Sequence, residues 1–342
     1  MSSPDAEFIN RLMLIDTERT VEDNNLITSF VQQKGPVYVE RIARKTKVIA
    51  FAAHTLSQLF PKDEKWKEIH EKFCSRNILY LKMLKNIFVD THDAGIKTLC
   101  VTENFGVILR GKACIGCFQS SDIDLTADRI EEKQIEFLLR KHGFIRESDN
   151  GQVTKYKNSE IVKEGFSLQI AWVAVARSYL NQDAPTKRLA IARKKATYLD
   201  DSYIKVLNPT ELLYFCAYHI SSGHYYTFTP GIRLYVDIDR LIRGNLDVEW
   251  EKIFEWSEED NIGVRVIMPI YLSNKIMRTP VPNEIVQNID ESKYASRFAR
   301  KLLDPDDLGF GCNDGRLHRL YIDLLSNGTS IGKALIEKIK GR

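Results

Sequence analysis

The chain has 342 residues, 44% apolar and 28% charged, an ordinary globular composition that excludes disorder. Its 49 lysines and arginines against 46 aspartates and glutamates leave a net charge of +3, too small to advertise a long nucleic-acid partner. The length exceeds what one hydrophobic core serves, so two or three cooperating units are expected.

The first twenty residues, MSSPDAEFINRLMLIDTERT, show no basic region followed by an apolar stretch. No window approaches the roughly 18 uninterrupted apolar residues of a spanning helix. The six cysteines are dispersed and form no disulfide pattern. The expectation is a cytoplasmic protein with reduced thiols and no membrane partner.

Residues 5 to about 90 read as helices, with apolar residues three and four apart and breaks at Gly35-Pro36 and Pro61-Lys62-Asp63. The last of these helices closes at Gly95, a C′ glycine. The pattern then turns to short apolar runs. IKTLCVT and GVILRG read as strands separated by ENF, and SDIDLTAD as a third strand. EEKQIEFLLRKHGF reads as an amphipathic helix, and VTKYKNS and FSLQIAWVAVA as further strands. The basic stretch TKRLAIARKKATY, at 186–198, reads as a solvated helix face. Helices return from about residue 206, where Asn208-Pro209 supplies a cap followed by proline at the first helical position.

Asp122 and Asp124 are the unusual residues. Alternation along a strand sends both to one face, about 7 Å apart. Two carboxylates so placed repel each other unless a cation sits between them, and a divalent metal meets that need.

A strand, a glycine turn, a helix and a strand bearing Asp-x-Asp together resemble the motif of the nucleotidyltransferase superfamily related to DNA polymerase β. GIKTLCVTENFGVILRGKACIG, LNPTELLYFCAYHISSGHYYTFTPGIRLYVDIDRLIR and RTPVPNEIV resemble a bacterial family of largely uncharacterised nucleotidyltransferases, a likeness spanning roughly residues 76–290. The resemblance implies an α+β fold, a small mixed β-sheet core flanked by N-terminal and C-terminal helical segments. The corresponding boundaries are 1–90, 91–205 for the catalytic core, and 206–342.

The resemblance further implies a Mg²⁺- or Mn²⁺-dependent enzyme. It would transfer a nucleoside monophosphate from an NTP to an acceptor hydroxyl or phosphate and release pyrophosphate. The acceptor is left open among a small molecule, a peptide, a protein and an RNA end. Asp122 and Asp124 would hold the metal, and Gly111 would let the backbone approach the triphosphate. Arg110 stands where the family usually has lysine. Lys112, Ser120, Ser121 and Arg233 are further nucleotide-binding candidates.

The family's third carboxylate falls on Gln169 of FSLQIAW, and its neighbouring histidine on Ala171. Glutamine can offer a carbonyl oxygen but neither charge nor proton acceptance. Two readings therefore stand side by side. In one, His219, His224 or Glu164 activates the nucleophile; in the other, the chain binds nucleotide as a weakly active or inactive regulatory protein.

Three smaller features have bland expectations. Cys114 and Cys117 have C-x-x-C spacing, but no second cysteine pair or histidine pair lies nearby in sequence, so they are expected to pack as small hydrophobes on a helix. His219 and His224, five apart and close to an aspartate, suggest a metal site, but that spacing is poor for a shared helical face. Structural histidines are expected, while the resemblance implies that their region lines the cleft. Arg233 and Asp237 form either a surface i, i+4 pair or an arginine held toward phosphate. Tyr218, Tyr225, Tyr226, Phe228 and Tyr235 fit base stacking or core packing equally well.

Overall fold

Seven strands form one mixed sheet: β1 (Cys100–Val101), β2 (Asp122–Thr126), β3 (Ile145–Asp149), β4 (Val153–Asn158), β5 (Phe166–Ala171), β6 (Thr197–Tyr198) and β7 (Lys205–Val206). Their order is β3-β4-β5-β2-β1-β7-β6. The computed structural model describes residues 4–111, 114–119, 122–159, 166–174, 183–199, 202–226, 232–244 and 247–303. β2 runs parallel to β5 and antiparallel to β1, and β4 runs antiparallel to β5.

Period-2 alternation decides the two faces of this sheet. Ile123 and Leu125 of β2, Tyr156 of β4, and Phe166, Leu168 and Ile170 of β5 are buried. Tyr80, Leu84, Ile87 and Phe88 cover that face from α5 (Glu64–Asp93), and Ile135, Leu138 and Leu139 from α7 (Glu132–Lys141). The opposite face carries Asp122, Asp124, Ser167, Gln169, Lys155 and Lys157, all half-buried.

Four helices precede α5: α1 (Pro4–Leu12), α2 (Val21–Lys34), α3 (Pro36–Lys45) and α4 (Ile49–Leu59). The breaks at Gly35-Pro36 and Pro61–Asp63 fall between helices as expected, and Gly95 follows α5 with φ +71°. On the C-terminal side stand α8 (Asp183–Lys195), α9 (Pro209–Ser222), α10 (Ile232–Gly244), α11 (Trp250–Glu259), α12 (Gly263–Met277), α13 (Asn283–Glu291) and α14 (Lys293–Leu302). The α+β class holds, with helices on both flanks of the small sheet.

The two helical flanks touch. Ile232 and Val236 of α10 and Met277 of α12 pack into the N-terminal core beside Phe8, Val39 and Trp66. Buried Asp23 is paired with Arg11 (3.0 Å) and with Arg278 (2.8 Å) just past α12. Asp23 also accepts the Thr20 backbone N–H (2.9 Å), completing the capping box of α2.

Two expectations need correction. GVILRG is not a strand: it lies at the end of α6 (Glu103–Arg110), with Phe105, Val107 and Ile108 buried. A short apolar run surrounded by core on several sides lacks the polar face that would reveal helical periodicity. Asn208 does sit at the start of α9 with Pro209 following, but its side chain makes no capping bond. Its amide instead accepts from Thr197 Oγ1 (3.1 Å) and donates to Lys195 O (3.0 Å), tying α9 to β6.

Candidate functional site

The cleft is built on sheet register. Asp124 lies opposite Gln169 in the parallel β2–β5 pair, and Gln169 lies opposite Lys155 in the antiparallel β5–β4 pair. One row across three strands therefore reads acid, amide, cation. The neighbouring row is Asp122, Ser167 and Lys157. Asp122 and Asp124 do share a face, and with Gln169 and Lys155 they line a cleft of about 640 Å³.

The turn from β1 into α6 brings in residues the sequence reading passed over as a loop. Glu103 and Asn104 both line the cleft beside the aspartates. Glu103 has φ +46°, the left-handed region that L-residues other than asparagine and aspartate rarely adopt. Asn104 donates through its amide to Asp124, while its Oδ1 is buried with no hydrogen-bond partner among the described residues. The backbone N–H of Thr102 donates to Asp124 O (3.0 Å), so the turn is pinned to the acid-bearing strand.

From the other side, α9, the turn after it and α10 supply His219, His224 and Arg233 in that order. His219 Nδ1 lies 3.4 Å from Glu103, and its Nε2 lies 2.9 Å from His224 Nε2. Asp237, one turn along α10 from Arg233, adds a further carboxylate to the local field. Lys47 and Gln119 close the cleft from the N-terminal flank.

This crowd of acids fixes the electrostatics. Burial, opposed by Arg233 but reinforced by Asp237 and Asp122, pushes the Glu103 carboxyl up to about 8. Burial, with Glu103 and Asp122 beside it, drives Asp124 well above the ordinary carboxylate range. Burial raises Asp237 to about 7 against the pull of Arg233 and Arg240. Among the described residues, Lys47, Lys155 and Arg233 are the cations that line the cleft with these acids. The cleft's donors are hard oxygens, one of them the orphaned Asn104 Oδ1, and such a set fits a magnesium-class cation.

The other candidate residues scatter. Arg233 faces the cleft. Arg110 instead reaches carbonyl oxygens of Val206 (3.1 Å), Leu207 (3.2 Å) and Thr197 (3.3 Å), at the far end of α6 from the acids. Gly111 closes α6 rather than opening a helix, its N–H donating to Val107 O (2.6 Å). It packs closely against α10: a Cβ here would lie 2.7 Å from Val107 O and 3.0 Å from Arg240 O, and a Cβ on Gly244 would run into the Gly111 backbone. Lys112, Ser120, Ser121, Glu164 and Phe228 lie outside the described residues.

Tyr218, Tyr225, Tyr226 and Tyr235 are buried in the C-terminal core, so packing accounts for them. Cys117 is buried as expected, but on a 3₁₀ turn, Ile115–Cys117, rather than an α-helix. Glu103, Asn104, Lys155 and Lys47 were not singled out from sequence. For Lys155 a signal existed: in VTKYKN the lysines alternate with residues that face the core.

No described helix is long and apolar enough to cross a membrane. A family model described as an uncharacterised nucleotidyltransferase matches residues 38–278, most of the chain and every cleft residue named above. No curated protein and no solved structure matches the chain.

Proposed function

Because the chain belongs to this family of uncharacterised nucleotidyltransferases, we propose that it moves a nucleoside monophosphate from an NTP to an acceptor hydroxyl or phosphate, releasing pyrophosphate. The observation that carries the reading is the cluster of half-buried acids Asp122, Asp124 and Glu103, facing Lys155 and Arg233 across an open cleft.

Asp122 and Asp124 are the residues that would hold Mg²⁺ or Mn²⁺. When bound, such an ion supplies charge neutralisation for the triphosphate and for the oxygens around the reacting phosphorus. Lys155 and Arg233 are positioned to bind triphosphate oxygens, Arg233 with the two-pronged geometry of a guanidinium.

Glu103 takes the place that Gln169 leaves vacant as third carboxylate. As the acceptor oxygen bonds to the α-phosphorus and the bond to pyrophosphate breaks, Glu103 receives the hydroxyl proton. A proton affinity near neutrality suits that task. His219, between Glu103 and His224, orients the carboxylate and offers the proton a way out. Gln169 orients rather than ionises, holding the space between Asp124 and Lys155.

A second reading rests on the same register. With Gln169 opposite Asp124, the strand that usually completes the acid set carries no charge, and the cleft would bind nucleotide without turning it over.

One experiment separates the two. Each NTP, labelled at the α-phosphate, is incubated with protein, Mg²⁺ or Mn²⁺ and lysate as acceptor source, with pyrophosphate release and calorimetric binding followed in parallel. Transfer is expected, and Asp122→Asn and Asp124→Asn should each lower it by on the order of 10²-fold or more, as loss of several kcal/mol of charge stabilisation requires. Binding without release favours the second reading. Absence of binding sinks both.

A further inference from the structure

A second cluster of chemistry-bearing side chains lies where α4 and α5 meet the turn that leads toward β2. His54 comes from α4, and His70 and Cys74 from one face of α5, four residues apart. Cys114 comes from the turn at the start of Ile115–Cys117. Both histidines are distant from Cys114 in sequence, and folding carries them to it.

We propose that His54, His70, Cys74 and Cys114 form a structural site for a borderline-soft divalent cation of the zinc class. This goes beyond the nucleotidyl-transfer reading and does not depend on it.

Three of the four side chains, His54, His70 and Cys114, already converge, and Cys74 adjoins one of them, His70. Cys74 Sγ lies 3.6 Å, and Cys114 Sγ 3.7 Å, from His70 Nε2. For zinc–sulfur bonds near 2.3 Å and zinc–nitrogen bonds near 2.0–2.1 Å, the sulfur-to-nitrogen edge of a tetrahedron is about 3.5 Å. One ligand atom each from His54, His70 and Cys114 lies within 4.8 Å of the others.

The surroundings match as well. His54 Nε2 lies 3.3 Å from Asp16 Oδ2, which leaves Nδ1 for the metal and supplies the carboxylate–histidine contact typical of metal ligands. The turn presses so close that a Cβ on Gly116 would collide with Cys74 Sγ and the His70 ring. Buried Asn77 of α5 holds that turn, donating to Ile115 O (2.6 Å) and Phe118 O (2.8 Å). Cys117, buried behind the cluster, hydrogen-bonds the Cys114 sulfur. Two imidazoles and two thiolates suit zinc and disfavour magnesium or calcium. With Cys74 turned in from His70 as the fourth ligand the shell would close, and the ion would fasten α4 and α5 to the segment that delivers Asp122.

The test uses tag-free, full-length protein purified without added metal or chelator. Elemental analysis should find about one zinc per chain, falling below about a tenth in His70→Ala and Cys114→Ala. Asp122→Asn should keep its zinc, which separates this site from the cleft. Because the ligand variants can fail to fold, cobalt exchange into the wild-type protein decides independently: a tetrahedral spectrum with thiolate-to-cobalt charge transfer is expected. Zinc below a tenth per chain, zinc retained in both folded ligand variants, or cobalt without a thiolate band would each overturn the proposal. So would a Cys114–Cys117 disulfide in the protein as isolated, which would mark the pair as a redox couple.

Discussion

At the scale of single residues, Glu103 joins backbone strain, which it shares with Lys47 of the same cleft, to a half-buried carboxyl. A left-handed φ for a residue of this kind costs on the order of 1–2 kcal/mol, and such strain gathers where function over-determines the backbone. The carboxyl is also raised to about 8, chiefly by burial. Between the ordinary glutamate value and 8, the folded chain keeps a proton that the unfolded chain releases. Stability therefore falls as pH rises through that window. Glu103→Gln removes the titration. In urea unfolding at pH 5 and pH 8, wild type should lose roughly 1–3 kcal/mol more between the two values than the variant does. Equal losses would show that Glu103 ionises freely in the fold.

At the scale of elements, α8 clasps the sheet at the end of the acid-bearing strand. Buried Arg193 donates to Thr126 Oγ1 (3.0 Å), Ala127 O (2.7 Å) and Trp172 O (3.2 Å), joining the ends of β2 and β5. Arg193→Met leaves those acceptors with fewer donors in a dry place. It should lower the unfolding free energy by on the order of 3 kcal/mol, read as a drop in the urea midpoint at unchanged slope.

How far these elements were readable depends on whether one face of each meets water. β2, β4, β5 and α7 were legible because polar and apolar residues alternate with the right period, and Gln169 fell on the cleft face as alternation required. α6 was not, since its apolar run is surrounded by sheet and helices. Arg193 was misread with its basic neighbours as solvated, because nothing in TKRLAIARKKATY distinguishes the one arginine that points inward. Gly111 carried the sequence motif, yet the residue at the turn facing the acids is Glu103, and spacing alone could not reveal which end of the helix the cleft would use.

At the scale of the whole molecule, three parts of the chain wall one cleft: Lys47 from the N-terminal flank, the sheet, and Arg233 with the histidines from the C-terminal flank. A magnesium-bound nucleotide would join all three, and it would favour the ionised form of Glu103, whose carboxyl burial raises to about 8, and of Asp124, which burial shifts in the same direction. Binding then releases protons and strengthens as they become easier to remove. The rise in Tm produced by saturating Mg-ATP should be larger at pH 8 than at pH 6. A rise that is the same at both values, or larger at pH 6, would exclude those acids from the ligand shell.

The pairing of Asp23 with Arg278 reaches across 255 positions of sequence. Synthesis delivers the N-terminal helices first, and until residue 278 leaves the ribosome the carboxylate of Asp23 has Arg11 as its counter-charge without the later arginine. Until α10 and α12 emerge, the N-terminal core also lacks Ile232, Val236 and Met277, which pack beside Phe8, Val39 and Trp66. A chain stopped before those residues would leave bare the apolar surface that they cover.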